Sequence, residues 1–304
     1  MLFGIFAGLV LLILVLSGLF FAWIVVFPKR FGVLETYMFE KEKGLLDDAE
    51  YQSWPKEEVL IQSDFGYSLY GLYFPSEGSK QAVILSHGIT YTLYGSVKYM
   101  KVFRELGFNT FIYDVRYHGQ SGGKNTTFGF FEKYDLVRIM DWVAQRIGPG
   151  AVIGTHGESM GAAISMQHAA IDPRVAFVVE DCGFSSLAEL LAYRLKVEYH
   201  LGKFPILYLA SFFSLLLTRM RFEQVMPIQA IGQVTAPVLF IHGAADEYIP
   251  PHMAQALYQK KQTGARGLYL APKAAFSVGC QPLYGLAESK RLVVSSGSGS
   301  SCGA

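Results

Sequence analysis

Hydrophobic and polar positions divide the chain into regimes with different periods. Residues 2 to 27 carry no charge, and as a helix such a run exceeds the roughly 20 residues that cross a bilayer. Between 58 and 74, apolar and polar positions alternate around Asp64, Phe65 and Gly66, which predicts two strands joined by a turn. The pattern then changes to short apolar runs at 82–85, 110–113, 152–154, 175–179, 238–241 and 268–270, separated by stretches long enough for helices. Buried strands alternating with helices predict an α/β domain, a mostly parallel sheet covered on both faces.

The stretch from about 186 to 231 breaks that rhythm. It is rich in Leu, Phe and Tyr and contains the uncharged run FPILYLASFFSLLL at 204–217. This run has a proline near its start and is short for a second membrane span, so it reads as a buried or interfacial helix in a lid. Its residues either complete the core or line an acyl pocket.

The amino-terminal run has no basic stretch before it and no small-x-small cleavage site after it, which favours an uncleaved anchor over a cleaved signal. Lys29, Arg30, Lys41 and Lys43 follow it and no Lys or Arg precedes it, which places the rest of the chain on the cytoplasmic side. The expected organisation is an anchor at 1–28, a linker at 29–57, the α/β domain at 58–275 and an aberrant or disordered tail at 276–304. The chain's 26 basic and 25 acidic residues give a net charge of +1, with no electrostatic footprint for nucleic acid. Cys182, Cys280 and Cys302 are odd in number and lack metal-ligand spacing, so neither a disulfide framework nor a metal site is expected. Cys182 reads as a small buried apolar residue.

The chemistry centres on Gly157-Glu158-Ser159-Met160-Gly161, which follows an apolar run and precedes the helical pattern AAISMQHAA. This is the strand-turn-helix setting of a nucleophile elbow, in which glycines permit a tight turn that lifts the serine hydroxyl above the sheet. Ser159 is the candidate nucleophile. The backbone N–H of Met160, at the helix start, would be one donor of an oxyanion hole. The second is expected in the loop after Ser86-His87-Gly88, with Ile89 favoured over Thr90 and His87 read as shaping the loop. In HGAADEYIP, after the apolar run at 238–241, Asp246 can hold the tautomer of a catalytic histidine and so complete the acid end of a catalytic triad. Asp181 is the lower-ranked alternative acid.

SHGIT at 86–90, YDVRYHGQSGGK at 113–124, the GESMG elbow, EDCGFSS from 180 and FIHGAADEYIP at 240–250 together resemble the extended α/β-hydrolases of bacteria. These carry a single amino-terminal anchor and are related to prolyl-oligopeptidase-like and esterase-like hydrolases. The similarity runs from about 58 to 273. It implies the α/β-hydrolase fold and a serine hydrolase that cleaves carboxylic esters, or amides, without metal or organic cofactor. It also implies a catalytic histidine just after LYLAPKAA, where this chain has Phe276.

Phenylalanine cannot carry a proton, so general-base activation of Ser159 is lost on this alignment. The Ser/Gly-rich tail after it lacks the amphipathic helix expected to cover the sheet. A one-base displacement of the reading frame can turn Ala-Phe-Ser into His-Ser, and we hypothesise a frameshift at this junction. DNA across Ala275 in which no base change restores histidine would end that idea. His252 and His156 are poor substitutes because neither comes from the strand end facing Ser159, and His118 is expected to order its own glycine-rich loop.

Three functions follow. One is a membrane-tethered serine esterase for substrates with an apolar acyl group. Another is a tethered binding protein that has lost its chemistry. The third is a peptidase or acyltransferase on the same site, since an elbow does not record the leaving group.

Overall fold

The computed structural model describes residues 1–272. The uncharged amino-terminal run forms one helix, α1 (Leu2–Val26). It is the one helix among the described residues long and apolar enough to cross a membrane. Most of its side chains are exposed, whereas Gly18, Ala22 and Val26, one turn apart, are buried.

The stretch expected to be a linker holds two further helices, α2 (Val33–Glu42) and α3 (Asp48–Ser53). The reason is aromatic: Tyr51 is buried against Phe74, Trp54 and Tyr94, which fixes α3 to the sheet. The Asp47 side chain caps α3 by accepting the Glu50 amide.

The hairpin follows as β1 (Glu57–Gln62) and β2 (Ser68–Phe74), paired antiparallel. Then come β3 (Gln81–Ser86), α4 (Val97–Glu105), β4 (Asn109–Tyr113), α5 (Glu132–Ile147), β5 (Val152–Glu158), α6 (Met160–Ala169) and β6 (Val175–Asp181). The insertion contributes α7 (Leu187–Tyr199), α8 (Ile206–Thr218) and α9 (Pro227–Ile231). β7 (Val238–Gly243), α10 (His252–Lys260) and β8 (Arg266–Ala271) close the described chain. Phe276 and the tail lie outside the described residues.

The eight strands form one sheet in the order β1-β2-β4-β3-β5-β6-β7-β8, antiparallel through β2–β4 and parallel from β4 onward. Each apolar run of the sequence is the heart of one parallel strand. The two sheet faces carry separate cores. On one face α5 lays Leu136, Ile139, Met140 and Val143 against the sheet beside α6. All ten residues of α6 are buried, Gln167 among them, whose amide nitrogen donates to the Phe128 (3.1 Å) and Ala163 (3.0 Å) oxygens. On the other face Val97, Met100 and Phe103 of α4 pack with Phe108, Tyr51 and Leu85. This layering brings the carboxyl ends of β3, β5, β6 and β7 to one edge, where the loops meet.

Candidate active site

Ser159 stands between β5 and α6 with φ 55° and ψ −113°, a strained backbone for a residue with a side chain. Such strain costs about 1–3 kcal/mol and persists where the surroundings impose it. Here they do. The Ser159 amide donates to the Asp181 carbonyl oxygen (2.8 Å), while its own carbonyl accepts from Ala162 and Ala163. The flanking glycines are required by contact: a Cβ on Gly157 would lie 2.1 Å from the Gly161 oxygen, and one on Gly161 would lie 2.0 Å from the Ser86 oxygen. Beside the serine, Glu158 pairs with Lys98 at 2.9 Å in a nearly buried ion pair, fastening the elbow to α4.

The loop after β3 comes up against this turn. A Cβ on Gly88 would lie 3.6 Å from the Ser159 Cβ, and Ile89 and Thr90 border the same cavity as Ser159 and Met160. Two histidines hold the loop. The Val115 amide donates to His87 Nε2 (2.9 Å), leaving Nδ1–H to donate to the Gly88 oxygen (2.7 Å). The Thr90 amide donates to His118 Nε2 (3.2 Å), whose Nδ1–H donates to the Arg116 oxygen (2.9 Å). Burial pulls His87 down to about 3 and His118 down to about 4, so both are neutral supports. His118 therefore orders the loop beside Ser159 as well as its own.

Asp246 is buried in the turn after β7. Its Oδ1 accepts the amides of Tyr248 (2.8 Å) and Ile249 (2.9 Å), and its Oδ2 lies 3.7 Å from His242 Nε2. Tyr248 and Ile249 border the cavity, so the carboxylate sits directly behind its wall. His242 donates from Nε2 to the Ile249 oxygen (2.7 Å), and burial pulls its pKa down. Asp181 is engaged elsewhere: it accepts the Tyr99 hydroxyl (2.8 Å), and burial pushes it up to about 6.

Cys182, His242 and Asp246 bring one donor atom each within 4.8 Å of one another. Burial pushes the Cys182 thiol far above its ordinary value, which favours the protonated form and works against the thiolate a metal needs.

None of the chain's seven histidines borders the cavity. His156 lies with its ring centre 4.1 Å from that of Tyr99, tilted by 44°, and is pulled down to about 3 by burial, while His252 begins α10 on the surface. The expected position of the base, Phe276, lies outside the described residues.

The cavity holds about 220 Å³. Its walls include Leu190 and Leu195 of α7, Ile206 and Leu207 of α8, and Phe21 and Val25 of α1. Arg194 borders it too, donating to Glu198 and to the Glu247 oxygen (3.0 Å) with its guanidinium 4.1 Å from the Tyr248 ring centre. Neither the α1 residues nor Arg194 was anticipated. The signal for α1 was the small-residue spacing Gly18 and Ala22 within an otherwise bulky run.

Residues 81–205 match the family model described as alpha/beta hydrolase fold. The chain is 36% identical over 256 residues to the uncharacterized protein YqkD of Bacillus subtilis, covering 84% of each chain. It is 28% identical over 204 residues to the uncharacterized protein Rv2307c of Mycobacterium tuberculosis, covering 66% of this chain and 65% of that one. Among solved structures, the Pyrococcus furiosus esterase Pf2001 superposes with a TM-score of 0.62 at 22% identity, over 81% of this chain and 92% of the esterase. Est1E of Butyrivibrio proteoclasticus, determined with ferulic acid bound, gives 0.59 at 18% identity, over 76% and 95%. These likenesses establish the same mostly parallel sheet flanked by helices.

Proposed function

Because the chain belongs to the α/β-hydrolase fold family, we propose that its site is that of a serine hydrolase for carboxylic esters, working through an acyl-enzyme on Ser159. The observation that carries this is the strained Ser159 at the head of α6, with the Gly88–Ile89 loop against it and an apolar cavity in front. In the reaction, Ser159 Oγ forms a bond to the acyl carbon while its proton passes to a base. The amides of Met160 and Ile89 hold the oxyanion, and the ester C–O bond breaks as the leaving oxygen takes the proton. Water then hydrolyses the acyl-enzyme by the same route. Asp246 would hold the base's ring N–H and tautomer. Two of its lone-pair directions are already fixed by backbone amides, so the carboxylate is oriented. That similar folds occur in esterases supports esters over amides.

No histidine follows His252 in the sequence, and Phe276 stands where the base is expected. With Phe276 in the expected position, the rate should fall about 10⁴-fold to 10⁶-fold, leaving the contribution of binding and the oxyanion donors. The test is hydrolysis of p-nitrophenyl acyl esters by this chain and by Phe276→His with a restored carboxyl-terminal helix. Equal rates in the two would remove the triad assignment.

A second reading, a tethered binding protein without chemistry, is favoured by the absence of any histidine at the cavity. Ligand-dependent thermal stabilisation with no turnover after the repair would select it. A peptidase or acyltransferase would use the same residues with a different leaving group or acceptor. We also propose that α1 anchors the protein to a membrane, with the hydrolase domain on the cytoplasmic side on account of the basic residues after the helix.

A further inference from the structure

The amino-terminal helix is part of the site. Val26 is fully buried and its oxygen accepts the Thr126 amide (3.1 Å). The Phe31 amide donates to the Thr90 oxygen (2.8 Å), and Arg30 donates to the Tyr117 oxygen (2.6 Å). The end of α1 is thereby fixed at Thr126, and the residues that follow it are fixed to the loop beside Ser159. Further up, α1 packs along α8 so closely that a Cβ on Gly18 would lie 2.5 Å from the Leu209 Cβ.

Length then decides where α8 sits. The part of α1 before Gly18, residues 2–17, is shorter than the roughly 20 residues a span needs. If α1 crosses a bilayer, the segment that carries α8 must therefore also lie at the level of the acyl chains, and α8 goes in with it. The outer face of α8 is suited to that position. Tyr208, Phe212 and Leu216, one turn apart, are 54%, 45% and 64% exposed, and Phe204, just before the helix, is 79% exposed. No charge occurs within the helix, while exposed Lys203, Arg219 and Arg221 flank it, and Lys29 and Arg30 follow α1. Such cations reach the phosphate level while the residues between them lie in hydrocarbon.

We propose that α1 and α8 form one bilayer-embedded wall, and that the cavity over Ser159 receives the acyl chain of a lipid ester sideways from the membrane. The proposal rests on the serine-hydrolase reading for its chemistry but not for its geometry. Phe21, Ile24 and Val25 of α1 and Ile206, Leu207 and Ala210 of α8 all border the cavity, so it is walled by the two helices that face lipid. Its 220 Å³ is small beside the roughly 300–1,000 Å³ typical of small-molecule pockets, so it takes part of a long acyl chain and leaves the rest in the bilayer.

The test uses the full chain in phosphatidylcholine vesicles. A fluorophore on Phe212→Cys or Leu216→Cys, with Cys280 and Cys302 changed to serine, should be quenched at least threefold more by doxyl-labelled lipid than one on Arg138→Cys. Phosphatidylcholine carrying a diazirine in its acyl chain should crosslink to the α7 peptide. The combined variant Tyr208→Glu, Phe212→Glu and Leu216→Glu should lower that yield at least tenfold. Quenching equal to that at position 138, or no crosslink to α7, overturns the proposal. Hydrolysis of p-nitrophenyl acetate by the Phe276→His chain with a restored carboxyl-terminal helix reports separately on the serine chemistry, and its failure leaves the two lipid measurements decisive.

Discussion

Replacing Gly161 by alanine examines how tightly the elbow is built. The added Cβ would meet the Ser86 oxygen at 2.0 Å, the Ser86 carbon at 2.6 Å and the His87 oxygen at 2.9 Å. All three are backbone atoms at the end of a central strand, so none can rotate away. Ordinary contact begins at 3.4 Å, so α6 and β3 must separate by about 1.4 Å. Overpacking of this kind costs about 1–3 kcal/mol, and a rigid backbone neighbour puts the cost at the upper end. For a domain of this size, about 3 kcal/mol lowers Tm by roughly 6–12 °C. Function should suffer more than stability, because the same strand end carries Gly88 and Ile89 to Ser159. A displacement near 1 Å at a reacting centre costs on the order of 10²-fold. The assay pairs thermal melting with p-nitrophenyl butyrate hydrolysis, both in the repaired Phe276→His chain. A variant that melts within 2 °C of its parent and keeps its rate would refute the contact argument and, with it, the assignment of Ile89 as an oxyanion donor.

Other perturbations separate the roles of neighbouring groups. Asp246→Asn in the repaired chain should lower the hydrolysis rate about 10⁴-fold, whereas in the chain with Phe276 it should change the residual rate less than about twofold, because no imidazole is there to orient; comparing the two rate ratios checks this. Burial pushes Glu180 up to about 8 from an ordinary value of 4.5. The folded state therefore holds a proton that the unfolded state releases, and stability from this group falls as pH rises from about 4.5 to about 8. Glu180→Gln should raise Tm more at pH 8 than at pH 5, read by melting at both values. Gly18→Leu should push α1 away from α8, seen as faster proteolysis of the insertion in detergent, while exposed Gly8, with nothing within 4 Å of its Cβ position, should accept the same change without effect. Arg194→Ala removes the bond to the Glu247 oxygen and the stacking on Tyr248, and should lower stability by about 1–2 kcal/mol in denaturant titration.

The sheet was legible because a parallel strand is buried on both faces and so appears as an unbroken apolar run, as in VAFVV of β6 or VLFI of β7. The elbow was legible because strand, tight turn and helix leave their marks in adjacent residues. What escaped the sequence depends on contacts between distant segments. Residues 29–57 mix charge and aromatics without a clear period, and contacts with distant residues, such as that of Tyr51 with Phe74, 23 positions on, make α3 part of the domain. The link from His118 to Thr90 spans α4, β4 and their loops. A helix apolar on every side, such as α1, has no polar stripe to tell which face is covered; the inward side was marked only by the small residues Gly18 and Ala22.

These long-range contacts bear on the two readings proposed for a site with Phe276 where the base is expected. A binding protein adapted to live without catalysis has no reason to keep a strained serine, because about 1–3 kcal/mol is recovered by relaxing the turn. In this chain the strain at Ser159 is retained, both glycines that permit it are in place, His87 and His118 still brace the adjoining loop, and Asp246 is still held by two amides. The braced loop and the Tyr248–Ile249 turn also wall the cavity and so serve either reading, whereas the strained serine is the feature with a use in acyl transfer. On the proposed reading, the strain at Ser159 favours a catalytic site over a cavity shaped for binding alone, and Phe276→His with an added carboxyl-terminal helix should give turnover without further change to the cavity.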